Sequence, residues 1–140
     1  GLGITVHAGE WRGPEHIRDT LTALRPSRLG HGVRAIEDLA LVDELAEQGI
    51  VLEVCPGSNI ALGIYDGWRK HPISQLYERG VKVTISTDDP PFFHTTMARE
   101  YEALHRAFDW DEGQFRRIAS QSLDAAFCDA DTRDTIRKKL

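Results

Sequence analysis

Three places in the chain carry side chains suited to acid-base or metal chemistry. Each follows a short stretch that reads as a strand. His7 and Glu10 stand after Ile4-Thr5-Val6, and His31 lies between Gly30 and Gly32 after Arg28-Leu29. Asp88 and Asp89 follow Val81 to Ile85 and precede Pro90-Pro91. Adjacent carboxylates at the end of an apolar strand are costly there unless a cation, a metal or a substrate meets them. Imidazole nitrogen and carboxylate oxygen are the donors that zinc or a similar borderline metal takes, and His7 with Asp88 is the natural pair of ligands. A base beside a metal-activated water and an acid beside the accepting atom complete a hydrolytic set. His31 and Glu10 suit those roles.

Each residue also has a purely structural reading. His7 or His31 could be a satisfied core histidine, and Glu10 a helix-start acid set against the macrodipole. Asp88 or Asp89 could cap a helix that follows the prolines. Cys55 reads as a small buried hydrophobe, and Pro56-Gly57-Ser58-Asn59 as a tight loop. His16, His71, His94 and His105 have weak surroundings in the sequence and are assigned no role. The recurrence of reactive types after successive strands is what favours function.

The elements that would position these residues alternate in type. Strands are expected at Ile4–Val6, Arg28–Val33, Ile50–Val54 and Val81–Ile85, the last a β-branched run. Between them, Pro14 suits the first turn of a helix with Ile17, Leu21 and Leu24 on one face. A second helix is predicted over Ile36–Gln48, with Ile36, Leu39, Ala40, Val42, Leu45 and Ala46 buried and Gly49 as its C-cap. Residues 55–59 read as irregular and 61–69 as a surface loop. A short helix follows from His71 to Arg79. After the fourth strand come helices near 96–108, 111–122 and 131–139, the last two capped by Asp111 and Asp131.

Alternation of this kind implies an α/β fold with a parallel sheet and right-handed crossovers. The carboxyl ends of such strands point the same way, and in a closed barrel they converge on one mouth. The 140 residues are expected to form a single domain.

Composition narrows the classes further. With 41% hydrophobic and 28% charged residues the chain is that of a globular protein. A net charge of −5 argues against broad nucleic-acid backbone binding. No apolar run reaches membrane-spanning length and no signal peptide is visible, so a cytoplasmic location without membrane association is expected. Cys55 and Cys128 form no CxxC pair, which suggests neither a disulfide framework nor a zinc knuckle. The only methionine is Met97 and the chain opens inside a strand pattern. The sequence is therefore expected to be the C-terminal part of a longer protein.

Taken together, four stretches resemble the adenosine deaminase family of the amidohydrolase superfamily. They are Thr5-Val6-His7-Ala8-Gly9-Glu10, Arg28-Leu29-Gly30-His31-Gly32, Leu52-Glu53-Val54-Cys55-Pro56 with Ser58-Asn59, and Ser86-Thr87-Asp88-Asp89-Pro90. The resemblance implies the C-terminal half of a (β/α)8 TIM-type barrel with a helical C-terminal tail, and zinc-dependent hydrolytic removal of a purine 6-amino group. His7 and Asp88 would bind zinc. His31 would deprotonate or hold the attacking hydroxide, Glu10 would protonate ring nitrogen N1, and Asp89 would hydrogen-bond N7. Family members take two more zinc ligands from an upstream His-x-His motif, which does not occur here.

A full barrel takes about 250 residues, so the missing N-terminal half is the expected partner, and the isolated chain is expected to be inactive or nearly so. Adenosine is placed first as substrate and adenine second. The rival readings are another amidohydrolase-type metal hydrolase and an inactive half-barrel that serves only as an assembly partner.

Overall fold

The computed structural model describes residues 2–140. Four short strands, β1 (Thr5–Ala8), β2 (Arg28–His31), β3 (Val51–Val54) and β4 (Lys82–Ile85), form one parallel sheet in chain order. Each crossover carries helix: α1 (Pro14–Leu24), α2 (Leu39–Gln48), then α3 (Pro56–Ala61) with α4 (Ile73–Glu78). Four further helices follow β4, namely α5 (Pro90–Phe93), α6 (Met97–Phe108), α7 (Glu112–Ala125) and α8 (Ala130–Arg137). A parallel sheet whose strand order equals chain order is the arrangement of consecutive units in a barrel wall.

Register explains which residues face which way. Val6, Leu29, Leu52 and Val83 lie side by side across the four strands, as do His7, Gly30, Glu53 and Thr84. Side chains alternate faces along a strand. Leu29, Leu52 and Val83 are fully buried, in one core with Ile17 of α1, Leu41 and Leu45 of α2, Leu76 of α4 and Ile118 of α7. The row containing His7 and Glu53 faces the opposite side of the sheet. α7 packs on β4 and α8 on α7.

Several elements differ from the sequence expectation, each for a local reason. The second helix does not begin at Ile36. Residues Val33–Glu37 form a 3-10 turn, and Asp38 then breaks into extended backbone (φ −136°, ψ 98°). Its carboxylate accepts from the N–H groups of Ala40 and Leu41 and pairs with Arg18 at 2.8 Å. An aspartate in this position competes with helix continuation and starts a new helix. The buried face consequently shifts to Leu41, Val42 and Leu45, leaving Leu39 half exposed.

The segment read as irregular contains α3, with Pro56 in its first turn. The paired prolines start α5, since a missing N–H costs nothing in a first turn. Asp111 caps α7 as expected and forms a capping box with Gln114. Asp129, not Asp131, caps α8, because its carboxylate reaches the Thr132 N–H and hydroxyl. Part of the 61–69 loop tucks inward, where Tyr65 and Trp68 pack against the core.

Candidate active site

The carboxyl ends of the strands are tied together before any side chain acts. The Gly32 N–H donates to the Ala8 carbonyl at 2.9 Å, and the Arg34 N–H to the Gly9 carbonyl at 2.9 Å. Gly9 turns the chain out of β1 at φ 73°, with Ile17 so close that a Cβ there would lie 2.4 Å from its Cδ1. Two of the candidate site residues, His31 (φ 66°) and Asp88 (φ 60°), also hold left-handed backbone, as do Arg25, His94 and Asp109 at helix ends. That conformation costs a non-glycine residue about 1–2 kcal/mol. Strain of this kind concentrates at functional sites.

Three of the sequence-predicted residues meet closely. His7 Nε2 lies 2.9 Å from Glu10 Oε2, and His31 Nδ1 lies 3.4 Å from Glu10 Oε1. The rings of His7 and His31 are 4.6 Å apart, centroid to centroid. On the far side of His31, its Nε2 stands 3.8 Å from Asp88 Oδ2. Glu10 and His31 are buried, whereas the His7 side chain is 64% exposed and open to an incoming ligand. Burial pushes the His31 pKa down, with the Glu10 charge opposing that shift and His7 reinforcing it.

Asp89 is brought less close. It is exposed at the N-cap position of α5, and its side chain does not cap that helix. Its backbone carbonyl, by contrast, accepts from Phe92 and Phe93.

The donor chemistry suits a metal ion. Ligand atoms of His7, Glu10 and His31 lie within 4.8 Å of one another, and the same holds for His31, Cys55 and Asp88. His31 belongs to both groups. His7 falls in the first group and Asp88 in the second, and imidazole nitrogen and carboxylate oxygen are both donors that zinc accepts. Cys55 is buried, and burial followed by the Asp88 charge pushes its thiol up to about 12. It is therefore a neutral thiol at pH 7.

Three buried residues that the sequence reading left without roles complete the arrangement. Ser58 Oγ donates to Asp88 Oδ2 at 2.7 Å. Asn59 Nδ2 faces Glu10 Oε1 at 3.1 Å and His31 Nδ1 at 3.4 Å. His71 Nε2 lies 3.1 Å from Asn59 Oδ1. The pairing Ser58-Asn59 after Cys55-Pro56 was the available signal for the first two. Nothing around His71 in the sequence marked it out.

This constellation sits at the carboxyl end of a parallel α/β sheet, and the sequence matches the family described as adenosine deaminase over residues 1–140. The chain belongs to the adenosine deaminase family. It is 52% identical over all its 140 residues to an adenine deaminase of Rhizobium leguminosarum bv. trifolii and covers 44% of that protein. An adenine deaminase of Sinorhizobium medicae is also 52% identical, with 43% of its length covered.

Among solved structures, an adenine deaminase from Arthrobacter aurescens superposes with a TM-score of 0.91 at 28% identity, covering 96% of this chain and 41% of that one. An amidohydrolase from Burkholderia ambifaria with bound zinc gives 0.85 at 25% identity, covering 97% and 38%. The chain thus spans less than half the length of these relatives and forms part of an amidohydrolase barrel. Among these family members the curated relatives are named for adenine, the purine placed second in the sequence reading. Among the described residues no helix is long and apolar enough to cross a membrane.

Proposed function

We propose that this chain carries the acid-base half of a zinc-dependent deaminase acting on a 6-aminopurine, with adenine preferred over adenosine. One observation carries the reading: His7, Glu10, His31 and Asp88 converge at the carboxyl end of a parallel sheet, two of them in strained backbone. The preference for adenine is supported by the two relatives at 52% identity.

His7 and Asp88 would hold the zinc ion. When bound, zinc supplies Lewis acidity and lowers the pKa of water toward neutrality. These are two donors, fewer than the four a zinc site usually takes. Glu10, buried and reaching His7 and Asn59 through its two oxygens, would pass a proton to a ring nitrogen. Protonation there draws electron density from C6 and opens it to attack. His31, between Glu10 and Asp88, orients the attacking water. Asp89 is the candidate for recognition of N7. Because N7 is an acceptor, that contact needs a proton on the Asp89 carboxyl. The purine leaves with a 6-oxo group and the amino group departs as ammonia.

Zinc-dependent ammonia release from adenine and from adenosine, measured side by side, tests the reading. The 140-residue chain alone is expected to be inactive or nearly so. A longer chain that restores the rest of the barrel is expected to release ammonia faster from adenine. Silence of the longer chain toward both purines would overturn the deaminase assignment, and faster release from adenosine would overturn the preference.

A further inference from the structure

We infer that Asn59 is a positioning residue for Glu10: it holds Oε1 of the carboxylate, so that Oε2 is the oxygen turned toward the substrate. The inference deepens the deaminase reading and rests on it for the role of Glu10.

Glu10 lies beyond the end of β1, past the turn at Gly9. A long acidic side chain loses much rotamer freedom on burial, and something must fix where its carboxylate points. The two oxygens have different neighbours. Oε2 lies 2.9 Å from His7 Nε2, and the His7 side chain is 64% exposed. Oε1 lies 3.1 Å from Asn59 Nδ2 and 3.4 Å from His31 Nδ1, both in buried residues. One oxygen is thus turned into the protein and the other toward the open side.

The Asn59 bond runs in one direction. An amide nitrogen donates and accepts nothing, while a carboxyl group can accept whether or not it is ionised. That direction is the same whatever the charge on His7 or His31.

The amide is itself oriented from further inside. The backbone N–H of Ile73 donates to His71 Nδ1 at 3.2 Å. A neutral ring that accepts at Nδ1 carries its hydrogen on Nε2, and His71 Nε2 lies 3.1 Å from Asn59 Oδ1. His71 is buried, and burial pushes its pKa down to about 3, so the ring is neutral at pH 7. With Oδ1 accepting from His71, the amide nitrogen is left for Glu10. A flipped amide would set N–H against N–H at His71 and oxygen against oxygen at Glu10. Glu10, Asn59 and His71 are all buried, so bulk water competes little along this path. Of the groups around Glu10, His7 is a proposed zinc ligand and His31 a proposed contact of the attacking water. Asn59 has no such second duty.

The bond is read first without any chemistry. In 1H–15N spectra of the 15N-labelled full chain, the Asn59 side-chain amide protons are expected to exchange with water far more slowly than those of a free asparagine side chain. In the zinc-loaded full chain, Asn59→Leu is close in size but has no donor. It is expected to lower kcat for adenine by about 10²-fold, the loss that follows from misplacing a reacting group. KM and zinc content should change little. His71→Leu leaves the amide free to turn and is expected to lower kcat by less. His71→Gln can still donate to Asn59 Oδ1 and should recover part of that loss.

Free exchange of the Asn59 amide in the unmodified protein overturns the inference, and that measurement stands even where no variant folds. An undiminished kcat in folded Asn59→Leu overturns it as well, as does a loss that falls only on KM or on zinc content. A protected amide in a full chain that deaminates neither purine removes the deaminase reading, and with it the catalytic role given to Oε2.

Discussion

Glu100, from α6, accepts a hydrogen bond from the backbone N–H of Gly57 at 2.9 Å, in the first turn of α3. The carboxylate is fully buried, and its other oxygen accepts from the Thr95 hydroxyl at 2.6 Å. The fit is close enough that a Cβ on Gly57 would stand 2.2 Å from Glu100 Oε1. A six-residue helix has little stability of its own. α3 is held from a helix 43 residues downstream, and α3 carries Ser58 and Asn59.

Removing that tether should therefore weaken both the fold and the site. Glu100→Ala leaves a buried N–H without its partner, which costs about 1–3 kcal/mol, read as a lower urea midpoint. Glu100→Gln keeps a carbonyl acceptor and is expected to lose less. Equal stability of Glu100→Ala and the unmodified protein would show that α3 is held by something else.

Ser58 bears on the metal reading. Its hydroxyl donates to Asp88 Oδ2 at 2.7 Å and so fixes which carboxylate oxygen is engaged. Loss of a partner that orients a metal ligand typically weakens metal affinity by about 10–100-fold. Ser58→Ala is expected to show a loss of that size when zinc is titrated against a competing chelator. Asp88→Ala should lose more. An affinity unchanged in Ser58→Ala would mean that Asp88 needs no such support.

The parts of the site that lie at strand ends were legible, and the parts that lie on α3 were not. His7, Glu10 and Asp88 stand beside β-branched runs that announce strands, His31 follows the short Arg28-Leu29-Gly30, and parallel alternation then brings the strand ends together. α3 has no such announcement. Its residues Pro56–Ala61 include glycine, serine and asparagine, which are weak helix formers, and six positions cannot display an apolar period. It exists because Glu100 satisfies it, a contact no local pattern contains.

Asn59 and His71 were hidden for the same reason, since their partnership depends on α3 meeting the turn that precedes α4. The boundaries near Asp38 and Asp129 were missed more narrowly. At Asp38 the predicted helix ran across the true cap, and at Asp129 it began two residues past it; in each case the geometry of one carboxylate decided the outcome.

Gly32 separates crowding from backbone strain. It holds φ 67° immediately after His31, and a Cβ there would lie 2.5 Å from Leu52 Cδ2 in the centre of the core. Gly63 holds a similar φ of 73° with nothing within 4 Å. Alanine at a left-handed position costs about 1–2 kcal/mol, which is all that Gly63→Ala is expected to lose. Gly32→Ala adds the displacement of Leu52, about 1–3 kcal/mol more. Thermal unfolding of the two variants should show the larger fall in Tm for Gly32→Ala. Equal losses would mean that Leu52 yields without cost.

His71 makes stability depend on pH in a predictable direction. Its ordinary pKa of 6.5 applies to the unfolded chain, and burial lowers it to about 3 in the folded protein. Between those values the unfolded chain binds a proton that the folded chain excludes. Stability is therefore undiminished above pH 6.5 and declines as pH falls, by up to about 1.4 kcal/mol per unit, until the folded pKa is reached. His71→Gln does not titrate and lacks this slope. Urea unfolding of both proteins at pH 7 and pH 5 isolates the contribution of the histidine. The unmodified protein is expected to lose up to about 2 kcal/mol more than the variant over that interval. Parallel losses in the two proteins would mean that the folded state admits a proton at His71 and that its ring is not locked in the neutral form.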